Sequence, residues 1–436
     1  MKLKAKIIKS KFVLLVAGIV LLAAGCGGGG GGTTTGQRVT LSMWDPFMDS
    51  QSLQSIISSY QQAHPNVQIV YTKKDITTYE TDLLNALAAG TGPDIFSINN
   101  AWLPKYLDKA TSAPASILNY KDFKNTFVDV VNRDFSVNQQ IYGVAMSVDS
   151  LGLYYNKDLL GTAGIATPPK TWDELAQDVQ KIRRSDGRGY FSLSGAALGT
   201  NSNINRAVDI LYLFMLQQGT QAYSSDNSTP TFAQSIQQNG NFVNPGETAL
   251  SFYTSFANPS SVNYNWNLRS DYSVDAFANG RSAFLFSYSY MRATILSKAP
   301  NLNFDVAPVP QPNLDQPAVN FSNYWGQVVS KQSKNPTVAW SFLQALTSKN
   351  SLDQYYAQNK VPSSRNDLIQ LQIQDPDIGV FANANLTSKP FYRPDQAKMD
   401  DIFGKVIDNV VLNGLSPNDA LSQAQAQAAT LTGFGQ

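Results

Sequence analysis

Between Val39 and Ile98 two hydrophobic periodicities alternate in a fixed order, and that order restricts the fold more than any other feature of the chain. Val39-Thr40-Leu41-Ser42-Met43-Trp44 reads as a strand. Leu53, Ile56, Ile57 and Tyr60 then recur at helical spacing, in a helix that must stop before Pro65. Val67 to Thr72 is a second β-branched run. Thr77-x-x-Glu80 has the form of a capping box, opening a helix through Leu83, Leu84 and Leu87 that Gly90 ends. Gly92-Pro93 turns the chain into a third strand, Asp94 to Ile98. Strand, helix, strand, helix, strand demands crossover connections, so the expected class is α/β, with a mainly parallel sheet covered on both faces. Ligands of such sheets collect at the carboxyl ends of the strands. Those ends carry Trp44-Asp45 on the first strand and Asn99-Asn100-Ala101-Trp102 on the third. An indole beside side-chain amides suits a neutral polyol: the ring stacks on an apolar sugar face, and the amides direct hydrogen bonds to hydroxyls.

The same grammar returns further along. Pro168-Pro169 and a second capping box, Thr171-x-x-Glu174, start a helix through Leu175, Val179 and Ile182. Phe277 closes a helix before Gly280, and Ser282 to Ser287 reads as a strand ending in Tyr288-Ser289-Tyr290. Thr337 is placed to cap a helix containing Trp340, Phe342, Leu343 and Leu346, and Ser416-Pro417 supplies a cap and a first-turn proline for the last helix. Trp172 and Trp340 fall on apolar helix faces and belong to the core. Tyr392-Arg393 sits in a Pro-bounded loop that could border a cleft. Ala307-Pro308-Val309-Pro310-Gln311-Pro312 is a stiff extended run suited to passing between domains. A body of roughly 400 residues exceeds one core's usual size, so two domains are expected. The sequence shows no internal repeat.

The N-terminus has its own logic. Five lysines precede an apolar run from Phe12 to Ala24, followed by Gly25 and Cys26. This is the pattern of a secretory leader, and the run falls short of the about 20 apolar residues that span a bilayer. Cys26 is the lone cysteine, so no internal disulfide can form. Leu22-Ala23-Ala24-Gly25 before it resembles a bacterial lipobox, in which the cysteine is lipidated and becomes the first mature residue. Gly27 to Thr35 reads as a flexible tether. Loss of the leader leaves 28 basic against 32 acidic residues, a net charge near −4. With no basic stripe interleaved with aromatics, nucleic acid is not an expected partner.

Catalytic signatures are sparse. A surface glycosidase would need two carboxylates facing the scissile bond, and Asp45, Asp94 and Asp149 show no spacing that marks a pair. His64, the one histidine, ends a helix before Pro65, where a polar cap is the natural role. No Gly-Lys-Ser/Thr phosphate loop and no His/Cys cluster is present, so no cofactor or metal is expected. The reading is a binding protein and not an enzyme, with a surface-anchored carbohydrate-active hydrolase as the alternative.

Five segments carry a family resemblance: LAAGTGPDIFSINNAWL at Leu87 to Leu103, SVDSLGLYYNKDLL at Ser147 to Leu160, PPKTWDEL at Pro168 to Leu175, AFANGRSAFLFSYSY at Ala276 to Tyr290, and NYWGQVVSK at Asn323 to Lys331. Together they are similar to family 1 extracellular solute-binding proteins, the maltose-binding-protein-like sugar-binding lipoproteins of ABC-type importers. The resemblance implies a periplasmic-binding-protein-like fold of two α/β lobes joined by a three-segment hinge, with crossings near Met146–Asp149, Asp305–Val309 and Val361–Ser364. It divides the chain into a leader at 1–26, a tether at 27–37, an N-terminal lobe at 38–147 and 310–362, and a C-terminal lobe at 148–309 and 363–436. It implies ligand contacts from Asp149 at the hinge and a stacking Tyr290, with Trp102 in a more variable segment. Strand-end and loop positions add Trp44, Asn99, Asn100, Tyr288, Tyr324 and Trp325. Core packing is the competing role for the aromatics, hinge bracing for Asp149, and turn formation for Asn99 and Asn100. The implied partners are a carbohydrate, ABC transporter permease subunits and, through the lipid on Cys26, the outer face of a membrane, with the protein a monomer. A receptor of the same fold for a non-sugar solute is the other alternative.

Overall fold

The computed structural model describes residues 38–238 and 240–431. The expected leader, Cys26 and the tether lie outside the described residues. Within them, β1 (Val39–Asp45), α1 (Ser50–Ala63), β2 (Val67–Lys73), α2 (Tyr79–Ala88) and β3 (Ile95–Asn99) follow in the order the periodicities predict. β1 lies between β2 and β3 and pairs parallel with both. On its other side β3 pairs antiparallel with the Trp325–Ser330 strand, which returns from far along the chain. That strand also meets Ala110–Thr111 and Gly143–Val144. β3 is buried at every position, as a strand flanked on both edges and covered on both faces must be.

α1 buries Leu53, Ile56, Ile57 and Tyr60, the residues that set its period. It ends at His64, whose Nδ1 lies 3.0 Å from the Tyr60 carbonyl and whose ring stacks on Tyr60 at 4.2 Å, a polar cap. The start of α2 differs from expectation. Its N-cap is Thr78, with no side-chain capping bond. The Thr77 amide and hydroxyl instead donate to Asp75 Oδ1 at 2.8 and 2.7 Å, and Glu80 accepts from Lys105 Nζ at 2.9 Å. A local Asx turn has outcompeted the capping box.

The second sheet runs in the order Phe304–Ala307, Gly152–Asn156, Ser282–Ser287, Phe191–Ala196, Arg184–Ser185. Ser282–Ser287 and Phe191–Ala196 pair parallel, and the other pairings are antiparallel. Both sheets are therefore mixed, one in each of two α/β lobes. The second capping box forms: Glu174 N donates to Thr171 Oγ1 at 3.2 Å, and Thr171 N donates back to Glu174 Oε2 at 3.4 Å. Ser416 likewise caps its helix through the Asp419 amide. Helix Pro336–Leu346 begins two residues earlier than Thr337 would set it, with Asn335 as N-cap and Pro336 in the first turn. No helix among the described residues is long and apolar enough to cross a membrane.

Two large hydrophobic cores divide the body, and a third, smaller cluster that includes Tyr154, Phe277, Leu285 and Phe381 packs on the second sheet. The first takes residues from Leu41 to Val148, from Tyr324 to Tyr356, and Leu368, Ile369 and Ala382. The second takes residues from Leu151 to Val309, Phe321, and residues from Phe391 to Leu431. Trp340 is buried in the first and Trp172 in the second. The chain thus changes core at Asp149-Ser150, again at Ser322-Asn323 and a third time between Ala382 and Phe391. It does not change at Asp305–Val309 or Val361–Ser364, where the second and third crossings were expected; Leu368, Ile369 and Ala382 still pack on the first core. The Pro-rich run stays on the second core because its remaining polar groups are pinned there. Gln311 N donates to Lys170 O, Trp172 N donates to Gln311 O, and Gln217 Nε2 donates to Pro310 O. Val361–Ser364 runs beside Ala145–Val148, where Ser363 bridges Ser147 and the Ser364 hydroxyl donates to the Ala145 carbonyl at 2.7 Å. Asn385 Nδ2 joins the two segments by donating to both Val148 O and Ser363 O.

Candidate functional site

The strand ends of the first sheet converge. Trp44, near the end of β1, is in register with Phe96, and the antiparallel Trp325–Ser330 strand starts where β3 stops, with Trp325 opposite Asn99. The chain then turns through Asn100 and Ala101 and places Trp102 at the head of α3 (Leu103–Tyr106). Trp325 is the hub of an aromatic group. Trp102 meets it edge-on at 4.9 Å, Phe47 at 5.0 Å, and Tyr79 lies 5.9 Å away. Trp102 is braced in turn by a stacked Tyr106 at 5.6 Å. Phe47 is 52% exposed, and Trp102 and Trp325 are half-buried. Trp44 stands apart from this group, because Lys74 Nζ lies 4.0 Å over its ring, a cation–π contact.

The polar residues of the same rim are committed to protein partners. Asn99 Nδ2 donates to Asn323 Oδ1 at 2.8 Å and to Tyr324 O, while its Oδ1 accepts from Ala101 N. Asn100 Nδ2 donates to Asp134 Oδ2 at 2.9 Å, and its Oδ1 accepts from Tyr324 N. Tyr324 is buried, with its hydroxyl donating to Asp134 Oδ2 at 2.7 Å. These three residues hold the frame that aims Trp102 and Trp325. Asp45 holds the next loop: its carboxylate accepts from the Phe47 and Met48 amides and from the Ser97 hydroxyl. Burial pushes the Asp45 carboxyl up against those hydrogen bonds.

Across the boundary between the cores, Tyr288 and Tyr290 follow the Ser282–Ser287 strand with their rings stacked at 6.1 Å. Tyr288 is 1% exposed and donates to Asp209 Oδ2 at 2.8 Å, whereas Tyr290 is 46% exposed and its oxygen accepts from Arg206 Nε at 3.1 Å. Arg206 sits over both rings from the head of helix Ala207–Gln217, at φ 62°, a left-handed backbone that costs a non-glycine residue energy. Burial pulls the Arg206 guanidinium down, but Asp209 and the two tyrosines outweigh it and hold the residue firmly cationic. Asp149 accepts from Ser289 N at 3.0 Å and Ser289 Oγ at 2.7 Å, tying the first crossing to the tyrosine loop. Burial raises Asp149 to about 6, with the Ser289 bonds opposing. Asp134 is likewise raised by burial to about 6, opposed by Tyr324 and Asn100.

Polar contacts stitch the two sides together. Asn323 Nδ2 reaches Asp209 Oδ2 at 3.5 Å while its Oδ1 holds Asn99. Trp102 Nε1 donates to Gln396 Oε1 at 2.7 Å, and Gln396 Nε2 donates to Asp400 Oδ2 at 3.1 Å. Asp400 also accepts from Tyr212 and Arg393, and Tyr392 packs on Tyr223 within the second core. The result is a row of aromatic faces beside donors and acceptors, in which each carboxylate already has protein partners. Among the described residues no group of three or more His, Cys, Asp or Glu could hold a metal. Sequence reasoning missed Phe47, Asp134, Arg206, Asn323 and Gln396. Phe47 follows the same strand end as Trp44, and Asn323 adjoins Tyr324-Trp325, so both were within reach of the strand-end argument. Asp134, Arg206 and Gln396 lie in no local pattern, because distant chain segments bring them to the site.

Comparison with known proteins places these features in context. Residues 44–351 match the sequence profile of the bacterial extracellular solute-binding protein family. A maltotriose-binding protein of Pyrococcus abyssi is 23% identical over 368 residues, covering 82% of this chain and 73% of that relative. The solved structure of a cyclic α-maltosyl-1,6-maltose binding protein from Arthrobacter globiformis superimposes with a TM-score of 0.75 at 19% identity, covering 91% of this chain and all of that one. A sugar-binding protein of Xanthomonas citri gives a TM-score of 0.73 at 21% identity, covering 90% and 97% of the two chains.

Proposed function

The chain belongs to the bacterial extracellular solute-binding protein family, and from that premise we propose that it binds a carbohydrate, an oligosaccharide in particular, and delivers it to the permease of an ABC-type importer. The observation that carries this reading is the aromatic row Phe47, Trp325 and Trp102 on the first core, together with the half-exposed Tyr290 and its partner Arg206 beside Tyr288 of the second. Aromatic faces offer apolar area to the ring faces of sugars, and the polar groups between them meet hydroxyls. Two lobes hinge at the crossings, and ligand selects the closed form because only there do both walls touch it. Trp44, Asn99, Asn100, Tyr288 and Tyr324 support the walls, and Asp149 braces the hinge beside the tyrosine loop. Malto-oligosaccharide relatives make linear or cyclic glucans the first ligands to test.

Binding proceeds without turnover. Asp45, Asp134, Asp149, Asp209 and Asp400 each accept hydrogen bonds from protein donors, so each carboxylate has a structural task. Cys26 carries the lipid that holds the protein, as a monomer, on the outer face of the membrane. A thermal-shift screen of mono- and oligosaccharides tests the central reading, since a ligand that binds only the folded state raises Tm. A panel of glucans and other oligosaccharides that leaves Tm unchanged contradicts it. The best-binding sugar should be recovered intact after incubation; product formation abolished by Asp149→Asn would favour a hydrolase instead. Cys26→Ser should release the protein from membranes, and a wild-type protein found soluble with a free thiol contradicts the anchor.

A further inference from the structure

Two side-chain contacts join α3, on the first core, to the start of the Gln396–Val411 helix, on the second. Trp102 Nε1 donates to Gln396 Oε1 at 2.7 Å, and Lys105 Nζ lies 3.7 Å from Asp395 Oδ2. Trp102 packs against the first core, while Met399, Ile402 and Phe403 of the long helix are buried in the second, so the contacts run from one core to the other. Neither lies on a crossing between the cores. Both ends are stiffly held. Asp395 is buried and caps its own helix through the Lys398 amide, Gln396 Nε2 is fixed on Asp400, and Lys105 is shared with Glu80 at 2.9 Å. Trp102 is clamped between Tyr106, stacked at 5.6 Å, and the edge of Trp325 at 4.9 Å. Its indole N–H therefore points one way, and an acceptor from the opposite core meets it there.

We infer that Asp395 and Gln396 form a latch that holds the two lobes closed and, through the Trp102 indole, sets the angle at which the aromatic wall is presented. The inference rests on the hinged reading proposed above, but it makes a separate demand: closure is stabilised by protein–protein contacts as well as by ligand. Gln396 is then a positioning residue, acting on ligand only through Trp102. Losing the indole–amide bond removes about one net hydrogen bond from the closed form, so the ratio of closed to open molecules should fall about fivefold. Because the partners act as a pair, Gln396→Ala and Trp102→Phe should have overlapping effects and not additive ones.

The full chain carries one cysteine, Cys26, so in a Cys26→Ser background two exposed positions, Lys121 on the first lobe and Lys405 on the second, can be changed to cysteine and spin-labelled. Pulsed electron–electron double resonance on the ligand-free protein, which the Cys26→Ser change leaves without its lipid, then reads the distance between lobes. Gln396→Ala and Trp102→Phe should each move population to longer distances, the double variant should move it no further than the larger single change, and all variants should keep a cooperative thermal transition. A Gln396→Ala distribution identical to wild type, or single effects that add, overturns the latch. Failure of the carbohydrate reading shows separately, as an absence of thermal shift in the wild type with any sugar, and leaves the ligand-free distance comparison intact.

Discussion

Tyr288 and Tyr290 stand two residues apart with stacked rings, yet the structure gives them different work. Tyr288 is sealed in the second core with its hydroxyl on Asp209, and Tyr290 presents nearly half its surface to solvent beside Arg206. Tyr290→Ala should weaken ligand binding while changing Tm little. Tyr288→Ala should cost about 3–5 kcal/mol of stability, read by denaturant unfolding. Equal stability losses in the two variants would contradict the division. Asp134 and Asp149 add a pH dependence. Burial raises both to about 6 from an unfolded value of 3.8, so the folded state holds its protons more tightly than the unfolded chain. Their stabilising contribution is complete below a pH of about 4 and is lost as pH rises through about 6. Asp134→Asn should therefore flatten the profile of Tm against pH across that window, and a profile parallel to wild type would show that the shift is absent. The resemblance singled out Tyr290 as the stacking ring and Asp149 as the hinge residue, but the burial of Tyr288 was not legible, since its hydroxyl is held by Asp209, which no spacing links to the tyrosine loop.

At the scale of elements, local chemistry was legible where one signal acted alone. Thr171 and Glu174 form their box even though the Lys170 amide donates to the same Glu174 Oε2 at 2.6 Å, because a carboxylate oxygen can accept from both amides, and Thr171→Ala should cost about 1 kcal/mol in unfolding free energy. Thr77 and Glu80 carry the same letters but lose to Asp75 and Lys105, and Lys105 is distant in sequence, so the pattern alone could not reveal the competition. The Pro-rich run was misplaced for a similar reason. Its stiffness was legible, but the carbonyl and amide partners that pin it to the second core, Lys170, Trp172 and Gln217, were not. One close approach depends on a single glycine. A Cβ at Gly195 would fall 2.6 Å from Val179 Cα, where strand Phe191–Ala196 meets helix Trp172–Ile182. Gly195→Ala should force the two apart and destabilise the fold by about 1–3 kcal/mol, measured by chemical denaturation. A neutral effect would mean that the helix can shift at little cost.

For the whole molecule, the alternation from Val39 to Ile98 identified the α/β class, and the five resembling segments supplied the two-lobe plan. What neither could supply is the pairing of the Trp325–Ser330 strand with β3, which brings Trp325 to the end of the first sheet and builds the aromatic row. That pairing joins residues far apart in the chain, so it belongs to topology and has no local signature. The account's central claim is that the two lobes close on a carbohydrate held between them. Small-angle scattering of the protein with and without the sugar that gives the largest thermal shift tests it most directly. Ligand should reduce the radius of gyration, with a matching change in tryptophan emission from Trp102 and Trp325. If that sugar binds and both the radius of gyration and the emission stay fixed, the lobes do not close on it, and a preformed surface groove replaces the hinged cleft.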